Sequence, residues 1–148
     1  MEAWRMVWRG AISPLMSDEA LHALYRGLIN DDPKLCQGKT TEPPPLLGVQ
    51  DFEVEQACAL SYCGWQGDGL NTVGEVENKF AQLCFECDNL LGEPGGVRWF
   101  LNWYDETPRD MMRRELIEEV NREISIRQRG WSEPDWPEVW PIDSDSFT

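Results

Sequence analysis

The chain has 148 residues, of which 27 are Asp or Glu and 13 are Lys or Arg, so its formal net charge is −14. A surface with this charge repels nucleic acid and anionic lipid and attracts basic partners, which argues against direct binding to nucleic acid or membranes. The sequence lacks both a membrane-spanning apolar run and a signal peptide, and its five cysteines are an odd number for a disulfide framework. We therefore expect a soluble, cytoplasmic protein.

The acidic residues are concentrated in two parts of the chain. Residues 51–95 contain nine acids and one base, and residues 131–148 contain five acids and no base. Residues 1–50 and 96–130 are close to neutral. A basic partner is therefore expected to be attracted to the two acidic parts.

The N-terminal region predicts a short extended segment followed by a helix. Trp4, Met6 and Trp8 occupy alternate positions, which is the periodicity of a strand. Ser17 is a typical N-cap, because its hydroxyl can accept a hydrogen bond from the first turn of a helix. The apolar residues that follow have the spacing of one helix face: Leu21, Leu24, Tyr25 and Leu28.

Two further helices are predicted in the middle of the chain. Residues 51–63 have the pattern of a half-buried helix. Thr72 and Glu75 have the spacing of a capping box, in which each side chain satisfies a backbone N–H of the other residue. The helix that they begin is expected to run to Leu91 and to end at Gly92.

The last two predicted helices differ in their surroundings. Residues 97–104 are apolar nearly all round, which favours a central, buried helix. A longer helix is expected from Pro108 to about Arg127, with an inner stripe of Met112, Leu116, Val120 and Ile124. Its acidic residues alternate with arginines, so we interpret them as a solvated face: Glu115, Glu118, Glu119 and Glu123.

These elements predict a mainly α-helical fold. We expect a single helical domain over residues 1–130, with about five helices and the short N-terminal extended segment. Residues 131–148 are predicted to form an irregular, acidic tail rich in Trp and Pro.

Several motifs suggest chemistry but are better explained by structure. Cys84 and Cys87 form a CxxC, yet they lie on the apolar stripe of a predicted helix, where cysteine acts as a small hydrophobe. Zinc, redox chemistry and a weak calcium site near Asp68 remain alternatives, but we expect no metal and no cofactor. His22 is the only histidine, and the sequence lacks a convergent catalytic set. We therefore predict that the protein is not an enzyme.

The sequence favours a protein-interaction module, meaning an adaptor, an assembly subunit or an inhibitor that binds a basic partner surface. Tryptophan is common in the central, buried part of interfaces, so the tail is a candidate anchor, although its rings can instead pack on the protein's own helices. A nucleic-acid mimic that blocks the basic groove of a DNA- or RNA-binding protein is the alternative. The candidate partner-binding residues are Trp131, Trp136, Trp140, Glu53, Glu55, Asp68, Glu75 and Glu77.

Overall fold

A computed structural model describes residues 1–44 and 51–132, with side chains described up to residue 129. This part of the chain is mainly α-helical, as predicted, and contains six α-helices rather than about five. They are α1 (Ala3–Val7), α2 (Asp18–Ile29), α3 (Ala59–Tyr62), α4 (Val73–Leu91), α5 (Gly96–Glu106) and α6 (Arg109–Ser132). Two strands, β1 (Thr41–Glu42) and β2 (Gln56–Ala57), pair antiparallel. Among the described residues, no helix is long and apolar enough to cross a membrane.

The prediction of an extended N-terminal segment is wrong, because the N-terminal residues are helical. α1 continues into a π-helical turn over Trp8–Ile12 and a 3-10 turn over Ser13–Leu15. The buried side chains follow helical spacing, and Met6, which the strand pattern placed on the same side as Trp4 and Trp8, is 58% exposed. The buried set is Trp4, Val7, Trp8, Ala11 and Ile12.

Residues 51–63 do not form the predicted helix. Glu55, Ala57 and Cys58 donate their backbone N–H groups to carbonyls of residues 34–42, at distances of 2.7–3.0 Å. These long-range bonds hold the segment extended, and the helix that follows it has only the four residues of α3. A second π-helical turn, Cys63–Gly67, then packs against α2. Tertiary pairing thus overrides the helical pattern.

The prediction for α4 is confirmed, and α6 begins where predicted but continues to Ser132 instead of ending near Arg127. Both hydrogen bonds of the capping box between Thr72 and Glu75 are present, and Gly92 ends α4 in the left-handed conformation. Met112, Leu116 and Val120 are fully buried on the inner face of α6, and Ile124 is half-buried. α5 differs from its prediction, because Val97, Phe100 and Tyr104 are buried while its other face is exposed.

Glu119 is buried, which corrects its assignment to a solvated face. Its side chain is 2% exposed and accepts hydrogen bonds from Arg5 and Arg9. The Arg9 guanidinium binds both carboxylate oxygens, with each N–O distance 2.8 Å. This bidentate geometry is the strongest form of a charge-assisted hydrogen bond, and it joins the N-terminal helical segment to the middle of α6.

The surroundings of Glu119 favour its ionised form. Burial alone would raise the pKa of this carboxyl, but hydrogen bonds and charges from Arg9 and Arg5 outweigh burial, so the pKa lies below its ordinary value. A carboxyl whose pKa is lower in the folded state stabilises the fold above its unfolded pKa, about 4.3 for Glu. That stabilisation is lost as the pH falls through the folded-state pKa.

We expect Glu119→Gln to lower the free energy of unfolding at pH 7 by about 1–3 kcal/mol, because the partly buried Arg9 guanidinium loses its counter-charge and Arg5 loses its contact with a buried carboxylate. The difference from wild type should shrink as the pH falls below about 4.3. Urea denaturation between pH 3 and pH 7 measures both effects. Glu118→Gln is the matched control, since Glu118 lies 66% exposed on the same helix, 4.0 Å from Arg5. Equal losses in both variants would contradict the role given to Glu119.

Candidate functional site

The predicted tail site falls largely outside the described residues. Trp136 and Trp140 lie beyond residue 132, and Trp131 belongs to the last turn of α6, where only the backbone is described. The role of the three tryptophans in binding a partner therefore stays a prediction.

The five predicted acidic site residues do not form a single group of free carboxylates. Glu53 and Glu55 are exposed on the extended segment before α3. Glu75 caps α4, Glu77 accepts a hydrogen bond from the Thr41 hydroxyl at 2.9 Å, and Asp68 accepts one from Ser17 at 2.6 Å. Three of the five therefore also hold the fold together.

The cysteines contribute to packing in the described part of the chain. Cys58, Cys63 and Cys87 are buried in the core, and Cys84 is half-buried. Burial raises the pKa of Cys58 to about 11 and that of Cys87 to about 12, so these thiols stay protonated and weakly nucleophilic at neutral pH. Within residues 1–44 and 51–132, no three His, Cys, Asp or Glu side chains are grouped as metal ligands would be.

A polar cavity of about 410 Å³ lies between α2 and the second π-helical turn. Tyr62 lines it, and its hydroxyl donates a hydrogen bond to Asp32 at 2.7 Å. Burial, together with this bond and the charge of Asp32, raises the pKa of Tyr62 above its ordinary value. The phenol therefore stays protonated at neutral pH and is already paired within the protein.

The N-terminal tryptophans belong to the core rather than to an interface. Trp4 is 3% and Trp8 1% exposed. Trp4 stacks on Trp103 of α5, with ring centroids 3.6 Å apart and planes 6° from parallel, and Arg5 lies over its ring at 4.6 Å. These contacts, with Phe100 beside both tryptophans, fix α1 against α5.

An apolar groove lies beside this contact and is the best candidate for a binding site. We call it the Met6–Trp99 groove; it has a volume of about 260 Å³ and lies between α1, the end of α4 and the start of α5. Met6 and Trp99 are 58% and 61% exposed, although both are large apolar side chains. The groove is also lined by Ala3, Val7, Leu91, Glu93, Pro94 and Gly96.

The helix spacing explains why Trp99 is exposed. Phe100 and Tyr104 lie four residues apart on the buried face of α5, whereas Trp99 and Trp103 form a neighbouring stripe. Trp4 of α1 stacks on Trp103, so α1 covers the Trp103 end of this stripe. No described side chain is in ring contact with Trp99, which leaves its indole at the edge of the groove.

Gly96 keeps the floor of the groove open. It begins α5, and a Cβ atom at this position would collide with Cδ1 of Leu91 and approach Val7. Because the Leu91 methyl is the end of a flexible side chain, an alanine at position 96 would push this methyl aside rather than disrupt the backbone. Gly96 is therefore a position at which the groove can be altered while the fold is kept.

The lining of the groove is mainly apolar. Glu93 is the only ionisable side chain among the described residues that line it. Its volume is below the roughly 300–1,000 Å³ of typical small-molecule sites, so it fits one or two side chains of a partner. Exposed Trp and Met side chains beside a small pocket are typical of the central part of a protein interface.

Comparison of the chain with protein-family models, with curated proteins and with solved structures found no match.

The sequence patterns did not predict this groove, because they assigned both of its main residues to the wrong element face. Met6 was assigned to the same strand face as Trp4 and Trp8, and Trp99 to a helix buried all round. The helical spacing of Trp4, Val7, Trp8, Ala11 and Ile12 was the signal that would have placed Met6 outside.

We expect losses of stability of very different size when each of two tryptophans is replaced. Trp8→Ala should cost about 3–5 kcal/mol, because it leaves a cavity in the core, whereas Trp99→Ala should cost less than about 1 kcal/mol because its ring is mainly exposed. Chemical denaturation of the two variants and wild type measures the difference. A loss at Trp99 as large as that at Trp8 would show that the Trp99 ring supports the fold, contrary to its place at the edge of the groove.

Proposed function

We propose that this chain is a non-enzymatic, acidic protein-interaction module that binds a basic partner, as an adaptor, an assembly subunit or an inhibitor. The observation that supports this proposal is the Met6–Trp99 groove, an exposed apolar pocket on a protein with a net charge of −14.

The apolar part of the surface would supply affinity. A large, mainly exposed indole beside a small pocket contributes much buried area on binding and loses little conformational entropy. Trp99 has these properties, and Met6 opposite it can adapt its shape to a partner because its side chain is unbranched and flexible. The groove would therefore be the centre of the interface.

The charge would supply attraction and selectivity. Residues 51–95, of which Leu91, Glu93 and Pro94 line the groove, carry nine acids and one base. A field of one sign speeds the approach of a basic partner and disfavours acidic competitors. Glu53 and Glu55 are exposed members of this acidic region, and we propose them as contributors to this attraction.

The contacts and pKa values of the histidine, the buried thiols and the Tyr62 phenol support a function in binding rather than catalysis. His22 is exposed on α2, and its Nδ1 atom lies 2.8 Å from the backbone carbonyl oxygen of Asp18. The buried thiols and the Tyr62 phenol have raised pKa values. None of these groups is therefore placed as an activated nucleophile or base.

Affinity purification of the tagged, full-length protein at low and at moderate salt tests the proposal. Wild type should retain a defined basic protein in stoichiometric amount, and Trp99→Ala should lose most of it. Phe85→Ala is the matched control, because Phe85 is 67% exposed on α4 and lies outside the groove. The double variant Trp136→Ala/Trp140→Ala tests in parallel whether the tail contributes.

Two results would count against the proposal. Failure of the wild-type protein to retain any defined partner would remove its basis. Equal retention by Trp99→Ala and wild type would show that the groove is not the interface. Retention that falls steeply with salt and is competed by DNA or RNA would instead favour the nucleic-acid mimic.

A further inference from the structure

The walls of the Met6–Trp99 groove are two helices whose facing residues have helical spacing. Ala3, Met6 and Val7 lie at i, i+3 and i+4 on α1, and Gly96 and Trp99 lie at i and i+3 on α5. We propose that this groove binds a basic, amphipathic helix of the partner, through one large apolar side chain that enters the pocket. This inference rests on the proposed function and names the chemistry of the partner.

The helical walls favour a helix over an extended peptide. A peptide that binds as a strand needs a free sheet edge with unpaired N–H and C=O groups, and the residues lining this groove belong to helices and to the turn between α4 and α5. A third helix, in contrast, packs its side-chain ridges into the furrow between two helices. Recognition here would therefore depend on side chains.

The volume of the groove sets the number of apolar anchors. A space of about 260 Å³ accommodates one large side chain, or two small ones, of an approaching helix. Leu91, Pro94 and Val7 provide an apolar floor, and Trp99 provides a flat wall on which an aliphatic or aromatic side chain can lie. One anchor residue, with apolar neighbours at i+3 or i+4, would match this shape.

The charges around the groove favour Lys and Arg on the flanks of that helix. Glu93 lines the groove and forms no ion pair with another described residue, whereas Glu2, which precedes Ala3, is paired with Arg5 at 2.9 Å. The cations of the first helical segment are already engaged, because Arg5 and Arg9 bind Glu119 on α6. A partner with a positive side chain beside its anchor would thus meet the carboxylate of Glu93.

The same charges disfavour the protein's own tail as the occupant. The tail carries five acids and no base, so binding in the groove would place its carboxylates near Glu93. Its tryptophans are suitable anchors by size alone. Occupancy by the tail is therefore the competing outcome that an experiment must distinguish.

Three synthetic peptides of equal length, titrated into the full-length protein by calorimetry, test the inference. The first is a helix with Lys and Arg on its flanks and one apolar face with a central Leu or Trp. The second has the same composition with the apolar residues scattered, and the third replaces each Lys and Arg with Glu. We expect the first peptide to bind at least about tenfold more tightly than either of the others, which corresponds to about 1.4 kcal/mol.

Three variants locate the binding site of the first peptide. Trp99→Ala should lower its affinity about tenfold, and Gly96→Ala should lower it as well, because the displaced Leu91 methyl fills part of the pocket. A thermal denaturation of Gly96→Ala beside wild type separates a loss of binding from a loss of folding. Phe85→Ala should leave the affinity unchanged.

Equal binding of the ordered and scattered peptides, or full affinity in Trp99→Ala, would overturn the inference. So would a tenfold gain in affinity on deletion of residues 133–148, because it would identify the tail as the occupant. The affinity purification tests the proposed function separately. If Trp99→Ala loses a partner there but the three peptides bind equally well, the interaction module would be supported and the helical ligand rejected.

Discussion

The pairing of Glu119 with Arg5 and Arg9 is the interaction on which the rest of the structure depends. It connects the first nine residues to the middle of the longest helix, more than a hundred residues later in the chain. A buried carboxylate is tolerated only where its charge is compensated and its oxygens accept hydrogen bonds, and the bidentate contact with Arg9 provides both. The ion pair also fixes the rotation of α1. With Arg5 directed towards α6, Trp4 lies against α5, and Met6 is left on the exposed side.

This rotation gives α1 two roles. Its inner residues, Trp4, Val7 and Trp8, complete the core with Phe100 of α5, while Ala3 and Met6 form one wall of the Met6–Trp99 groove. The arginines of the segment are used within the protein, so they add little positive charge to the groove side. An apolar pocket with Glu93 in its lining therefore lies on a protein with a net charge of −14, and this combination is the basis for proposing a basic partner with an apolar anchor.

Local signals in the sequence predicted the parts of the fold that local interactions determine. The capping box at Thr72 and Glu75, the inner stripe of α6 and the N-cap at Ser17 are all present. The wrong predictions concern features that depend on partners far away in the chain. They are the N-terminal segment, the residues before α3 and the burial of Glu119. The groove was missed for the same reason. Trp4, which is distant in the sequence, covers one stripe of α5, and the choice of stripe decides whether Trp99 is exposed.

Site-specific photo-crosslinking at position 99 tests the central claim most directly. A benzophenone amino acid replaces Trp99 in the full-length protein, and mass spectrometry identifies the peptide joined to it; the same probe at Phe85 serves as the reference. The account predicts that the probe at position 99 is joined to a segment of another protein, and that this segment carries Lys or Arg beside a large apolar residue. The probe at position 85 should form no such adduct. An adduct with residues 133–148 of this chain, or the same adducts at both positions, would contradict it.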